Sequence, residues 1–146
     1  MYIAINPTNG EELHRYDIFD QTRIDEIINN AAQAYKSWRK KEFAERASLL
    51  KKVAKALRTG EENLAKLMTL EMGKPIKEAR GEVQKAAFCA EHYAEHGAEY
   101  LAAKDLPSDA THSYVQHLPL GPVLGILPWN APFWLGFRFC APAIMA

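Results

Sequence analysis

Charge is almost absent from the last thirty residues: between His117 and Ala146 the one formally charged side chain is Arg138, after a stretch crowded with Lys and Glu. Over the whole 146 residues, 18 Lys and Arg balance 18 Asp and Glu. The cations are interleaved with Glu at helical spacing, so no basic stripe marks a nucleic-acid partner. Two cysteines, Cys89 and Cys140, are too few for a disulfide scaffold, and a reducing, cytoplasmic setting is the expectation. The opening Met1-Tyr2-Ile3-Ala4-Ile5-Asn6-Pro7 lacks the basic and apolar regions of a secretory signal. The uncharged run from Leu118 to Phe137 has the length of a membrane span, but Pro119, Pro122, Pro128 and Pro132, with three glycines and Asn130, exclude a continuous lipid-facing helix. No internal repeat, low-complexity tract or G-x-G-x-x-G loop is present. Length and apolar fraction fit one domain with a modest core.

What is there is mostly helical periodicity. Asn6-Pro7-Thr8-Asn9-Gly10 is a turn cluster, expected to close an edge hairpin between Tyr2 to Ile5 and Glu12 to Ile18. Ile24, Ile27, Ile28, Ala31, Tyr35 and Trp38 share one face of a helix expected from Thr22 to Arg39, with Thr22 and Asp25 spaced as a capping box and Trp38 as a core anchor. A second helix, Ala44 to Arg58, buries Leu50, Val53, Ala54 and Leu57, and its Lys51, Lys52 and Lys55, like Lys36, Lys40 and Lys41 earlier, face water. Thr59-Gly60 ends it. A third, Glu61 to Met72, opens on acids that suit its dipole and presents Leu64, Leu67 and Met68. Gly73 stands where a left-handed residue closes a helix, and Pro75 cannot continue the old helix yet can open a new one.

The fourth helix, Ile76 to Leu101, is roughly 40 Å long. Ala79, Val83, Ala86, Ala87, Ala90, Tyr93, Ala94 and Gly97 line one side, and residues so small suit a central strut approached closely by its neighbours. Asp105 to Asp109 reads as a loop and Ser113 to Leu118 as a strand. Val123-Leu124-Gly125-Ile126-Leu127 lacks polar alternation, as does a strand buried on both faces of a parallel sheet. Ligands of such sheets gather at the strands' carboxyl ends, where Pro128-Trp129-Asn130 falls. A helix from Phe133 to Met145, apolar nearly all round, follows. Uncovered, it would make the isolated chain self-associate or stay partly molten.

Pro119-Leu120-Gly121-Pro122-Val123-Leu124-Gly125-Ile126-Leu127-Pro128-Trp129-Asn130 resembles the strand and Pro-Trp-Asn loop of the aldehyde dehydrogenase superfamily, and Phe133-Trp134 through Ala141-Pro142-Ala143 resembles the helix behind it. Ile5 to Gly10 is similar to that family's opening turn, Ala44-Glu45-Arg46-Ala47 to its second helix, and Leu70 to Ala79 to its third-to-fourth helix junction. Glu71-Met72-Gly73-Lys74-Pro75 followed by Ala79-Arg80-Gly81-Glu82-Val83 is closest in wording to the succinate-semialdehyde dehydrogenase branch. The resemblance implies an α/β fold: N-terminal helices plus the first strand, loop and helix of a Rossmann-like cofactor domain. It places residues 1–104 in the N-terminal part of that domain, 105–120 in an oligomerisation strand and linkers, and 121–146 at the start of the sheet.

The same resemblance implies NAD- or NADP-dependent oxidation of an aldehyde to its carboxylic acid through a cysteine thiohemiacetal, in a homodimer or homotetramer. Covalent capture divides one hard step into two easier ones. A fixed side-chain amide stabilises the developing oxyanion, and the matching residue is Asn130, with Ile126, Leu127, Pro128 and Trp129 near the nicotinamide half of the cofactor. By residue type alone, an Asn beside Pro turns the chain or caps the following helix. The family's nucleophilic cysteine, general-base glutamate and ribose-binding lysine are expected beyond Ala146, with Cys89 and Cys140 as packing residues, so these residues alone are not expected to oxidise aldehydes.

Two other readings stand beside this one. His92-Tyr93-Ala94-Glu95-His96 matches the H-x-x-E-H pattern of inverted zinc peptidases, but the match has three fixed positions and is also what a solvated helix face looks like. A helical interaction module, or a decayed gene fragment, would share the apolar terminus without the chemistry.

Overall fold

The computed structural model describes residues 1–146. Strands β1 (Tyr2–Ile5) and β2 (Glu12–Tyr16) form an antiparallel hairpin, with an irregularity between Ala4 and Ile5. Its turn is local chemistry. Asn6 Oδ1 accepts from the Thr8 amide at 3.0 Å, the Gly10 amide donates to the Asn6 carbonyl at 2.8 Å, and Gly10 takes φ 76°. The strand ends at Tyr16 rather than Ile18, because the register set by Tyr2 opposite Tyr16 exhausts the partner strand.

Helices α1 (Gln21–Trp38), α2 (Phe43–Thr59), α3 (Glu61–Met72) and α4 (Ile76–Tyr100) follow. The cap of α1 is Asp20, in extended conformation with its side chain accepting from the Arg23 amide at 2.8 Å, and not the Thr22–Asp25 box. Capping belongs to the last non-helical residue, and Thr22 already lies inside the helix. The reach-back of a capping box falls instead at the start of α2, where Glu45 Oε2 accepts from the Glu42 amide at 3.1 Å while the Glu45 amide donates to the Glu42 main-chain carbonyl at 3.0 Å. Gly60 joins α2 to α3 at φ −88°, so no left-handed residue is needed there, whereas Gly73 closes α3 at φ 73°.

The core is the meeting of α2, α3 and α4. Leu50, Ala54 and Leu57 of α2, Ala65 and Met68 of α3, and Ala79, Val83, Ala86, Ala87, Ala90 and Ala94 of α4 are buried together. Helix α4 is the central strut, since α2, α3 and α5 (Pro132–Met145) all pack on it. The face expected to bury α1 stays open: Ile24, Ile27 and Ile28 are exposed, and no residue of α1 is fully buried. Only its C-terminal end docks, through Tyr35 Oη to the Pro119 carbonyl (3.1 Å) and Trp38 Nε1 to the Ile144 carbonyl (3.0 Å).

Two short strands, β3 (Lys104–Asp105) and β4 (Tyr114–Val115), pair antiparallel. Asp105 is therefore strand and not loop, and the strand expected over Ser113 to Leu118 contracts to two residues. A two-stranded ribbon with open outer edges is marginally stable on its own, and further strands are what extend and stabilise it. The same physics overturns the buried strand over Val123 to Leu127. That segment forms no strand, and Leu124 and Ile126 are 85% and 90% exposed. A helix satisfies its own backbone, but a parallel strand exists only when other strands flank it, and none of these residues flanks this one. The architecture is mostly helical, with two small two-stranded sheets.

Candidate functional site

Helix α5 begins Ala131-Pro132-Phe133-Trp134. Pro132, at the first helical position, loses nothing by lacking an amide hydrogen. The capping residue, however, is Ala131, which has no side-chain acceptor. The amides of the second and third helical residues, Phe133 and Trp134, thus need a partner from elsewhere. They find it in α4: Glu82 Oε1 accepts from Phe133 at 2.9 Å and from Trp134 at 3.1 Å. Its other oxygen, Oε2, takes the Lys74 ammonium from the α3–α4 junction, in a pair almost closed to water on both sides. One helical turn along α4, Lys85 Nζ stands 3.9 Å from the centre of the Trp134 ring.

Helices α4 and α5 run in the same direction. Glu82 meets Phe133, Cys89 Sγ approaches the Phe137 carbonyl at 3.6 Å, and Gly97 faces Met145. At the far end Arg46 of α2, buried, donates from Nη1 to the Met145 carbonyl at 2.9 Å, from Nε to Lys41 at 3.1 Å and from Nη2 to Arg39 at 3.3 Å. Helix α5 is thus held at both ends by charged side chains from other helices.

Asn130 lies in the turn at Trp129-Asn130 that leads into this clamped helix. It is exposed and does not cap α5, whose amide needs Glu82 meets. Leu127 is 43% and Trp129 80% exposed, and Pro128 is open as well. Residues 122–130 make no backbone hydrogen bond to the rest of the chain outside helices and strands, so the peptide groups of Ile126 to Trp129 are free for an outside partner. Behind them the Phe139 ring packs against Gly125 so closely that a Cβ there would lie 2.7 Å from Cε1. The five residues singled out in the sequence form one contiguous exposed stretch. Sequence reasoning missed Glu82 and Lys74. The signal was an acid set among Ala79, Val83 and Ala86, and a helix opening on Ala-Pro with no capping side chain.

Neither cysteine offers a nucleophile beside Asn130. Cys89 is buried, burial pushes its thiol pKa up, and thiolate formation is correspondingly disfavoured. Cys140 is exposed on α5 rather than packed, and it lies eight residues beyond Pro132, the start of that helix, a rise of about 12 Å away from the turn that holds Asn130. His92 and His96 of the H-x-x-E-H stretch have ring centres 4.8 Å apart, but His92 Nε2 is committed to Tyr100 Oη at 2.9 Å. No three His, Cys, Asp or Glu side chains converge to hold a metal ion. No helix is long and apolar enough to cross a membrane.

A profile described as the aldehyde dehydrogenase family matches residues 2–146. The chain is 40% identical over 143 residues to a probable succinate-semialdehyde dehydrogenase [NADP(+)] of Synechocystis, covering 98% of this chain and 32% of that protein. It is 38% identical over 144 residues to a succinate semialdehyde dehydrogenase [NAD(P)+] of Escherichia coli, covering 99% and 31%. Among solved structures, succinic semialdehyde dehydrogenase from Streptococcus pyogenes in complex with NADP+ superposes with a TM-score of 0.94 at 34% identity, over 99% of this chain and 32% of that one. The chain spans about a third of the length of the curated relatives it matches.

Proposed function

The chain belongs to the aldehyde dehydrogenase family, and we propose that it contributes Asn130 as the oxyanion donor of an NAD- or NADP-dependent oxidation of an aldehyde to its carboxylic acid. The observation that carries this reading is that the Asn130 amide is uncommitted although it precedes a helix whose first amides need an acceptor. An asparagine whose purpose was to cap α5 would be using its side chain for that. This one leaves its side chain exposed, in a short turn beside a helix whose first amides Glu82 holds.

Attack of a thiolate on the aldehyde carbon turns the carbonyl oxygen into an alkoxide. An amide held in place donates to that oxygen as charge accumulates, and because it is already oriented no solvent reorganises during the step. The thiolate belongs to residues outside this chain, since neither Cys89 nor Cys140 is placed for it. The open peptide groups of Ile126, Leu127, Pro128 and Trp129 suit contact with the nicotinamide half of the cofactor, which supplies a hydride acceptor when bound. Succinate semialdehyde is the first aldehyde to test, because both relatives named above carry that name. The β3–β4 ladder has an open edge on each strand, with Tyr114 and Val115 half exposed, and suits subunit pairing as a homodimer or homotetramer.

In the full-length enzyme Asn130→Ala is expected to lower kcat by roughly 10²–10³-fold while leaving cofactor affinity nearly unchanged. Turnover equal to that of the parent enzyme would remove Asn130 from the mechanism.

A further inference from the structure

We propose that Glu82 is a positioning residue for Asn130, acting through the first turn of α5; this rests on the oxyanion reading above. Asn130 has no internal hydrogen bond to orient it, so its aim depends on the helix it adjoins. Three peptide links separate it from Phe133, whose amide is held by Glu82 Oε1, and Pro132 between them has its φ locked by the ring. The two oxygens of Glu82 divide their work: Oε1 receives the Phe133 and Trp134 amides, and Oε2 receives the Lys74 ammonium. Lys74 itself sits at the α3–α4 junction, just after Gly73. A rigid path therefore runs from that junction through a buried carboxylate to the turn that presents the amide.

Burial makes this arrangement demanding. The Glu82 side chain is 6% and the Lys74 side chain 12% exposed, and a charge so enclosed persists only while its partners are in place. An acid is needed here rather than a neutral acceptor because it must serve two backbone donors and an ammonium at once. Loss of the carboxylate would free the first turn of α5, and a displacement of the adjoining turn by about 1 Å is enough to cost a catalytic group much of its effect.

The test is a double-mutant cycle on kcat in the full-length enzyme, with Glu82→Ala, Asn130→Ala and the pair. Glu82→Ala is expected to lower kcat about 10–100-fold. In the Asn130→Ala background it should lower kcat by less than about threefold, because the group it positions is already gone. KM for the cofactor should move by less than about threefold in every variant. Equal losses from Glu82→Ala in both backgrounds would show a general structural role and overturn the proposal, as would an unchanged kcat in Glu82→Ala. If Asn130→Ala alone leaves turnover intact, the oxyanion reading is what has failed. Should Glu82→Ala not fold, Glu82→Asp, which keeps the charge for Lys74 and withdraws it by one methylene from the two amides, carries the same cycle with the same deciding outcomes.

Discussion

Arg46 and Met145 lie 99 residues apart in sequence, and the guanidinium of the first donates to the main-chain carbonyl of the second at 2.9 Å inside the protein. The same side chain donates to the carbonyls of Lys41 and Arg39, and its Cζ stands 5.3 Å from the centre of the Phe43 ring. One planar cation thereby closes the C-terminal ends of α1 and α5 and the entry to α2. Its partners are carbonyls rather than an acid, and two of them, Arg39 and Met145, stand at the negative ends of α1 and α5.

Arg46→Ala should therefore destabilise the fold by roughly 2–4 kcal/mol, since it strands the buried Met145 carbonyl, loses two partly buried hydrogen bonds and opens a cavity. Arg46→Lys should recover only part of this, because a single ammonium cannot span the three directions that the guanidinium fork reaches. Urea unfolding midpoints of the three proteins measure the difference. A lysine variant as stable as the parent would show that charge alone matters here and geometry does not.

Two glycines of α4 predict opposite signs for one substitution. A Cβ on Gly81 meets nothing within 4 Å, whereas a Cβ on Gly97 would lie 3.0 Å from Met145 Cε and 3.1 Å from its Cβ and Cγ. Alanine is worth up to about 1 kcal/mol over glycine inside a helix, and overpacking costs about 1–3 kcal/mol. Gly81→Ala should raise the unfolding midpoint and Gly97→Ala should lower it. If both raise it, α5 crosses α4 less tightly than described.

The surface carries an acid-sensitive component. Glu91 is held below the ordinary carboxylate range first by its hydrogen bonds from Arg58, and Glu62 likewise by those from Arg80. A carboxylate whose folded pKa is depressed contributes stability that is fully present above its unfolded pKa, about 4.3, and is lost as pH falls through the folded value. Both pairs are well exposed to water, so the contribution is small. Between about pH 6 and about pH 3 the parent should lose more stability than an Arg58→Met, Arg80→Met variant. Parallel pH profiles for the two proteins would refute the coupling.

Much of this was legible locally. Glycine 73 and proline 75 announce the end of α3 and the start of α4 because a left-handed closure and a missing amide are properties of single residues. The alanine stripe of α4 and the Leu50, Ala54 and Leu57 face of α2 follow from a 3.6-residue period, and all of them are buried. Ile24, Ile27 and Ile28 obey the same period and stay exposed. Periodicity tells which side of a helix seeks cover and says nothing of whether a partner is present.

Asn130 shows the boundary most clearly. Residue type allowed it to cap α5, and that it does not depended on Glu82, 48 positions earlier, taking the two amides that a cap would have used. Helices and tight turns were determined by the sequence itself, because their hydrogen bonds close within a few residues of where they start. The clamp on α5, the Arg46 staple and the failure of Val123 to Leu127 to become a strand were decided by tertiary structure alone. In each, a backbone donor or acceptor depends on groups that only folding can bring near, and no local pattern records whether they arrive.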